Sequence, residues 1–426
     1  MGKTLFGQSE IIRNSAILIG GTGIAQAIPF ILQPLLRRIY TPEEFGAFAL
    51  FFSMIWILTD IANFRFDLTV TMPESEKEAS HILILSLLLN FIFNLLLFLL
   101  IVFFSRQLVI FFKFPERFSG FLYILPLSIF LFCSAQSMNY WLIRKKAFRS
   151  LSFSKISRRA SEGLVQVLFG LMHLSSGLFW ADLAGNIANN LSGLFQLRKT
   201  GFRYPFPSRD ELLQAFKKYS HFPKYNLIPN ILGTLAMQFP VFIINKLFTK
   251  TELGFFDLTQ QALMAPFALI TVAVSQVLLS VITKKRYNRE PMMGDFIRLT
   301  GVLATIGLVS LVIIELWGVP LFSWVFGSKW TQAGNFAQIL IAGYLFFLVV
   351  SPMIAFLQGL EKIRLISFWN VFHFLIMGSL LFLHNITFTG FLKLYAGLEI
   401  VVFLILFGIV FRVIRRYDLT LSEKSR

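Results

Sequence analysis

The sequence predicts an all-α, polytopic membrane protein of about 12 transmembrane helices, arranged as two six-helix lobes. Three observations predict this fold class. The 426 residues are 56% hydrophobic and only 14% charged, with a mean hydropathy of +0.70, whereas a soluble chain is about 25% charged. Twelve stretches approach the length of about 20 apolar residues that a spanning helix needs. A motif in the first half of the chain also recurs in the second half.

The predicted spans are joined by connections of no more than about 25 residues, so we expect no extramembrane domain. The fifth and sixth spans are the most polar, and only a short link joins them. From the N-terminus, the spans are 11–36, 45–66, 81–104, 120–142, 156–174, 178–197, 222–247, 255–282, 296–317, 333–357, 365–384 and 389–411. This pattern predicts a first lobe over 1–200, an amphipathic cytoplasmic linker over 201–221 and a second lobe over 222–426.

The basic residues predict the orientation of the chain. When the N-terminus is assigned to the cytoplasm, 29 of the 39 Lys and Arg residues fall in inward-facing segments and 9 in outward-facing ones. Cytoplasmic loops are enriched in Lys and Arg, so both termini are predicted to be cytoplasmic. The net charge is +17, and the basic residues that produce it lie between apolar stretches. This distribution indicates contact with anionic lipid head groups and not with nucleic acid. The single cysteine, Cys133, excludes an intramolecular disulfide.

An internal repeat relates the two halves. Residues 38–50, RIYTPEEFGAFAL, align with residues 246–258, KLFTKTELGFFDL. The shared Thr-x-x-Glu spacing is a capping box that starts the second helix of each half. Two similar helix starts are the alternative explanation. Six spans per half give both halves the same orientation, which predicts a parallel repeat related by a pseudo-two-fold axis along the membrane normal.

Polar side chains form a stripe on the first predicted span and another on the seventh. Because a polar group that faces lipid is unfavourable, such stripes face protein or water. Hydrogen bonds between helices and a water-lined substrate cavity both explain them. The stripe residues are Asn14, Thr22, Gln26 and Gln33 on the first span, and Asn226, Asn230, Thr234, Gln238 and Asn245 on the seventh.

Charged residues within or beside the spans are the strongest single-residue candidates, because a charge at mid-membrane costs about 2.5–3.5 kcal/mol on insertion scales. Asp60, Glu162 and Asp182 are candidates for ion coupling. Arg13 and Lys224 stand at the cytoplasmic ends of the first and seventh spans, where they either meet an anionic head group or act as ordinary anchors. Arg65 lies near the end of its span and either binds substrate or snorkels to the interface.

Several catalytic patterns do not occur in the sequence. There is no Walker A motif and no nucleophile elbow. The five histidines have no spacing typical of a metal site. We therefore expect no cofactor, no catalytic metal and no enzymatic activity, and we interpret Gly20-Gly21-Thr22-Gly23 as a site of close helix packing.

The opening RNSAILIGGTGIAQAIPFILQPLLRRIYTPEEFGAFAL resembles the start of Wzx-type polysaccharide exporters, which belong to the MOP superfamily together with MATE drug exporters. FSKISRRASEGLVQVLFGL and FGSKWTQAGNFAQILIAGYLFFLVVSPMIAFLQGLEKIRLISFWNVF extend the resemblance over essentially the whole chain. The resemblance implies a flippase in the bacterial inner membrane that moves undecaprenyl-pyrophosphate-linked oligosaccharide units, such as those of O-antigen in lipopolysaccharide, to the periplasmic leaflet by alternating access. It further implies a basic cavity for the pyrophosphate. The candidate contacts are Arg13, Arg65, Lys224 and Arg298.

The resemblance also implies partners, namely membrane lipids, the lipid-linked oligosaccharide itself and the polysaccharide polymerase and chain-length machinery. Three rival functions remain open at this point. A cation-coupled multidrug exporter has the same fold but favours an acidic or aromatic cavity. A membrane glycan polymerase or ligase usually carries a large outer loop, whereas the longest outer loop here has about 15 residues. A scaffold without transport would not need matching polar stripes.

Overall fold

A computed structural model describes the backbone of residues 2–202 and 206–424, and the side chains of residues 20–202, 206–221, 223 and 227–422. Within these ranges the chain is built from helices and contains no strand. It divides into two compact units, Met1–Thr234 and Leu235–Arg426.

The first unit contains eight α-helices, one 3-10 segment and the start of a ninth helix. In chain order these are α1 Gly2–Ile39, α2 Pro42–Ala62, α3 Phe66–Thr69, α4 Glu76–Phe111, the 3-10 segment Glu116–Tyr123, α5 Leu125–Arg144, α6 Phe148–Leu171, α7 Gly177–Lys199, α8 Arg209–Tyr219 and α9 His221–Leu247. Helix α9 continues across the boundary, so its residues up to Thr234 belong to the first unit.

The second unit contains the remainder of α9 and six further helices, with short 3-10 turns at their ends. They are α10 Lys250–Asn288, α11 Met293–Phe326, α12 Thr331–Val350, α13 Ile354–Gly359, α14 Ile363–Ser379 and α15 Phe388–Lys424. Helix α12 packs against α10, α11 and α15.

Eight helices in the described part of the chain are long and apolar enough to cross a membrane. The number becomes nine if the 3-10 segment and α5, which meet at a bend of 47°, form one span. Each of the twelve predicted spans overlaps at least one helix. Helix α6 is not among these eight helices. It is less apolar because it carries several charges, including Lys155, Arg158, Arg159 and Glu162. The prediction of an all-α, polytopic fold is confirmed, and the number twelve stays a prediction.

Both predicted capping boxes are present. The Thr41 hydroxyl accepts a hydrogen bond from the backbone N–H of Glu44, whose carboxylate accepts from the Thr41 N–H at 2.8 Å. Thr249 and Glu252 make the same pair of bonds at the start of α10. Each box satisfies N–H groups that have no partner within the helix. The repeated motif therefore has the same local structure in both halves.

Helix α2 ends earlier than the predicted span 45–66. Phe64 and Arg65 both adopt left-handed backbone conformations, with φ of 50° and 61°. The side-chain oxygen of Asn63 accepts a hydrogen bond from the Arg65 N–H at 3.1 Å, which is how asparagine stabilises a turn against helix continuation. Left-handed conformations cost free energy for residues with a side chain. This strained turn separates α2 from α3, which packs against α4 and α5.

Small residues allow close helix contacts within the first unit. A Cβ atom added to Gly21 of α1 would lie 2.1 Å from the Ser152 hydroxyl oxygen of α6, whereas Gly20 and Gly23 meet open space. A Cβ atom at Gly185 of α7 would lie 2.9 Å from the Cβ of Glu162. Helix α6 is therefore held closely against both α1 and α7, as small residues permit in membranes.

Helix α8 lies within the predicted linker 201–221 and docks on the start of α4. The Lys77 ammonium lies 2.8 Å from the Glu211 carboxylate, and the Lys218 ammonium lies 2.5 Å from the Glu78 carboxylate. The Phe216 ring stacks on Phe66 with centroids 5.4 Å apart. Ion pairs and one aromatic contact thus attach α8 to the first unit.

We expect this attachment to weaken in acid. The hydrogen bonds from Lys77 and from the Ser208 N–H lower the pKa of Glu211 from 4.5 to about 2. The Ser208 bond lies within α8 itself, so only the Lys77 contribution depends on docking, and docking loses that contribution as the pH falls from about 4.5 towards 2. Hydrogen exchange of residues 209–219, corrected for the intrinsic rate at each pH, should show a loss of protection in that window. The Glu211→Gln variant should lack this step. An identical step in that variant would contradict the assignment to Glu211.

Candidate functional site

Four of the predicted site residues meet at one carboxylate in the first unit. The Asp60 carboxylate of α2 accepts hydrogen bonds from the Arg65 guanidinium at 3.3 Å, from the Asn230 amide at 2.8 Å and from the Thr234 hydroxyl. The turn after α2 brings Arg65 back towards Asp60, and α9 supplies the other two donors. The structure therefore joins an ion-coupling candidate, a head-group candidate and two members of the α9 polar stripe.

This Asp60 cluster is mostly enclosed but not sealed. The side chains of Asp60 and Arg65 retain 13% and 19% of their accessible surface. A charge within a membrane is tolerated when an opposite charge and hydrogen bonds compensate it. The guanidinium presents N–H donors in a planar fork that also matches phosphate oxygens. In this cluster Asp60 compensates the charge of Arg65, and the Arg65 guanidinium is also suited to bind an anionic ligand.

A second polar cluster joins α6 and α7. The Arg158 guanidinium lies 3.9 Å from the Asp182 carboxylate and 4.8 Å from the centroid of the Phe132 ring. Arg159 donates a hydrogen bond to Glu162 at 2.8 Å. The i,i+4 spacing predicts an ion pair between Arg158 and Glu162. Instead Arg159 pairs with Glu162, because Arg158 reaches across to α7.

Polar side chains of α7 contribute to this interior. The Asn186 amide donates to the Asp182 carboxylate at 3.1 Å, and the Asn190 amide donates to the Leu131 carbonyl of α5 at 2.7 Å. All three side chains are buried. Buried polar groups need such partners. The Asn190 bond joins α7 to α5, and the Arg158–Asp182 contact joins α7 to α6.

The α1 stripe does not lie in a single environment. The Thr22 hydroxyl accepts a hydrogen bond from Lys155 of α6 at 3.1 Å, and the Gln33 side chain accepts one from Arg37 at 2.9 Å. Gln26 is exposed. Two members thus make contacts with basic side chains, and one is accessible to solvent.

The remaining predicted residues are separate from the Asp60 cluster or not described. Gln238 is partly buried, Asn245 is buried and bonded to Lys250, and Arg298 is exposed on α11. The candidates Arg13, Asn14, Lys224 and Asn226 lie outside the residues whose side chains the structure describes.

A small cavity lies inside the second unit. It has a volume of about 40 Å³, and its walls include Tyr344, His373, Tyr395 and Glu399. The His373 ring nitrogen and the Glu399 carboxylate are 3.4 Å apart. This volume is sufficient for a few water molecules. The cavity therefore holds a buried ionisable pair among otherwise apolar walls.

Sequence reasoning did not select Lys155 or His373 as candidates. Lys155 lies three residues before Arg158 and therefore on the same face of α6, so helical spacing could have indicated it. His373 is a single histidine in an apolar helix, and nothing in its spacing indicates Glu399. Within the described ranges no group of three or more His, Cys, Asp or Glu residues is arranged to hold a metal ion.

Comparisons with known proteins agree with this architecture. A family model described as polysaccharide biosynthesis protein matches residues 35–335. The succinoglycan biosynthesis transport protein ExoT of Rhizobium meliloti (strain 1021) is 23% identical over 345 residues, which cover 80% of this chain and 68% of that protein.

Two solved structures show the same fold. An inward-facing multidrug resistance MATE family transporter of the MOP superfamily superposes with a TM-score of 0.75 at 14% identity, covering 96% of this chain and 100% of that one. The lipid II flippase MurJ, in an inward closed conformation, superposes with a TM-score of 0.71 at 14% identity, covering 95% of this chain and 90% of that one. The resemblance to Wzx-type exporters of the MOP superfamily is thereby confirmed. This chain belongs to the polysaccharide biosynthesis protein family and is a multi-pass membrane protein with a MOP transporter fold.

Proposed function

We propose that this protein is a flippase that moves undecaprenyl-pyrophosphate-linked oligosaccharide units from the cytoplasmic to the periplasmic leaflet of a bacterial inner membrane. It works by alternating access between the two predicted six-helix lobes, with both chain termini in the cytoplasm. Membership of a polysaccharide biosynthesis family supports a glycan substrate. The names of ExoT and MurJ, a transport protein for succinoglycan biosynthesis and a lipid II flippase, support translocation rather than synthesis.

The Asp60 cluster carries the proposal. It places the Arg65 guanidinium beside amide and hydroxyl donors at a partly accessible position. Guanidinium groups bind phosphate through paired, charge-assisted hydrogen bonds. An acidic or aromatic cavity for cationic drugs would not need such donors. The cluster thus favours an anionic head group over a cationic substrate.

Other basic residues guide the head group to this cluster in our proposal. Arg13 and Lys224 stand at the predicted cytoplasmic ends of the first and seventh spans, and Arg298 is exposed near the start of α11. Positive surfaces raise the local concentration of anionic ligands. The amide and hydroxyl groups of the α1 and α9 stripes then line the path of the sugars: Asn14, Thr22, Gln26, Gln33, Asn226, Gln238 and Asn245.

The membrane potential favours the proposed direction. Moving one negative charge outwards from a negative-inside cell releases about 2.3 kcal/mol per 100 mV. Asp60, Glu162 and Asp182 are our candidates for additional coupling to a proton or sodium ion. The exported units then reach a polysaccharide polymerase and its chain-length machinery.

Deletion of the gene in its native host tests the proposal. We expect loss of a surface polysaccharide and accumulation of lipid-linked units on the cytoplasmic leaflet, both reversed by the wild-type gene. The Arg13→Ala and Lys224→Ala variants, at normal expression, should restore export only partly. Unchanged glycan together with altered sensitivity to cationic drugs would replace this proposal with multidrug export.

A further inference from the structure

The donors around Asp60 form an anion-binding site that the chain's own carboxylate occupies. One carboxylate receives a guanidinium N–H, an amide N–H and a hydroxyl from three separate side chains, Arg65, Asn230 and Thr234. All three are hydrogen-bond donors that bind phosphate oxygens equally well. At this enclosed position the Arg65 guanidinium needs an anion to compensate it.

Local backbone structure fixes the guanidinium beside this carboxylate. The turn at Phe64 and Arg65 is left-handed at both residues, and the Asn63 side chain holds the Arg65 N–H. Strain of this kind persists where the surrounding structure over-determines it, often at ligand sites. An arginine on a regular helix end would be free to extend to the interface. The turn prevents this and positions Arg65 against Asp60.

The pair is open enough for exchange. Both side chains retain part of their accessible surface, and the Arg65–Asp60 contact of 3.3 Å is longer than the distance of about 2.7–2.9 Å typical of charge-assisted hydrogen bonds. Asp60 makes its shorter bonds with α9. The guanidinium therefore retains donor capacity towards a second anion.

We infer that Asp60 is an internal counter-ion, which the pyrophosphate of the substrate displaces from Arg65 on binding and which returns on release. The inference rests on the proposed function. Exchange of one anion for another keeps Arg65 compensated throughout, and Asn230 and Thr234 still donate hydrogen bonds to the displaced Asp60 carboxylate. It also weakens substrate binding, because the substrate must compete with a tethered carboxylate. A substrate that is bound weakly is released sooner, which favours turnover of the transporter.

The Asp60→Asn variant tests this competition, because it removes the charge and keeps the shape. We expect the purified full-length variant to bind a short-chain polyprenyl pyrophosphate about tenfold more tightly than wild type, equivalent to about 1.4 kcal/mol. Binding of the uncharged polyprenol should not change. In transport, KM and kcat should both fall, as expected when a bound ground state becomes more stable than in wild type.

The matched control is Glu43→Gln, which removes one negative charge from the exposed first turn of the same helix and should leave binding unchanged. Adding Arg65→Ala to Asp60→Asn should abolish the gain. Inorganic pyrophosphate, measured in parallel, shows whether the head group alone suffices or the lipid is also required. If Asp60→Asn does not melt cooperatively, Asp60→Ser replaces it in the same comparison.

The outcomes separate this inference from the proposed function. Arg65-dependent binding of polyprenyl pyrophosphate to wild type, with no gain on removal of the Asp60 charge, would overturn the counter-ion alone. Wild type that does not distinguish polyprenyl pyrophosphate from polyprenol would overturn the proposed anionic substrate as well. If Asp60→Asn binds both polyprenyl pyrophosphate and polyprenol more tightly than wild type, Asp60 acts through packing. That result would contradict the exchange of anions at Arg65.

Discussion

Arg65→Ala should reduce polysaccharide export at least about 30-fold, because truncating one member of a buried, hydrogen-bonded charge pair costs about 2–5 kcal/mol. Among the described residues, Arg65 is the cation that pairs with Asp60, and in our proposal it binds the pyrophosphate. Arg65→Lys should retain part of the activity, since an ammonium keeps the charge but loses the fork. The measurement is the amount of surface polymer and of cytoplasmic-leaflet intermediates in a deletion strain that expresses each variant.

The control for this experiment is Arg106→Ala. Arg106 is exposed on α4 of the same unit, so its removal changes the net charge equally without touching the cluster. We expect near wild-type export from it. Asn230 and Thr234 still donate hydrogen bonds to Asp60 when Arg65 is absent, and the expression level and thermal melting of Arg65→Ala are measured beside export to separate lost function from lost protein. Full restoration of export by Arg65→Ala would show that Arg65 is not part of the substrate site.

Asp182→Ala should destabilise the first unit by about 3–5 kcal/mol, because it leaves Arg158 without the α7 carboxylate in a buried position. The Asp182 side chain is 1% exposed and that of Arg158 is 13% exposed. The Phe132 ring remains beside the guanidinium, but a cation–π contact contributes only about 0.5–2 kcal/mol. Thermal unfolding of the purified protein in detergent, together with expression level, measures the loss.

Replacing both partners distinguishes a broken ion pair from lost packing. The double variant Arg158→Met, Asp182→Leu should recover most of the lost stability, since apolar residues of similar volume can replace a buried pair. Glu116→Ala removes an exposed carboxylate in the same unit and should change stability by no more than about 0.5 kcal/mol. Wild-type melting of Asp182→Ala would show that the Arg158–Asp182 contact contributes little.

Features with a local cause could be predicted from the sequence. Apolar length predicts the helices, and the Thr-x-x-Glu spacing predicts the two capping boxes, because both depend only on neighbouring residues. The i,i+4 spacing of Asp182, Asn186 and Asn190 likewise predicts one polar face, which the structure buries against α5 and α6.

Features that depend on distant residues could not be predicted. The bond between Asn230 and Asp60 joins positions 170 residues apart, and no spacing rule indicates it. The strained turn at Phe64 and Arg65 depends on the Asn63 side chain, which accepts from the Arg65 N–H. Hydropathy counts Phe64 and Phe66 as apolar and therefore places the helix end too late. The same limitation applies to His373 and Glu399, which meet only after α14 and α15 pack together.

Reconstitution of the purified protein into liposomes tests the central claim most directly. A fluorescent oligosaccharide linked to a polyprenyl pyrophosphate is placed in the inner leaflet, and its arrival in the outer leaflet is measured with a membrane-impermeant quencher. Our account predicts rapid, protein-dependent translocation that requires the pyrophosphate and is lost with Arg65→Ala. Translocation no faster than in protein-free liposomes, by protein that still transports a cationic dye, would contradict it.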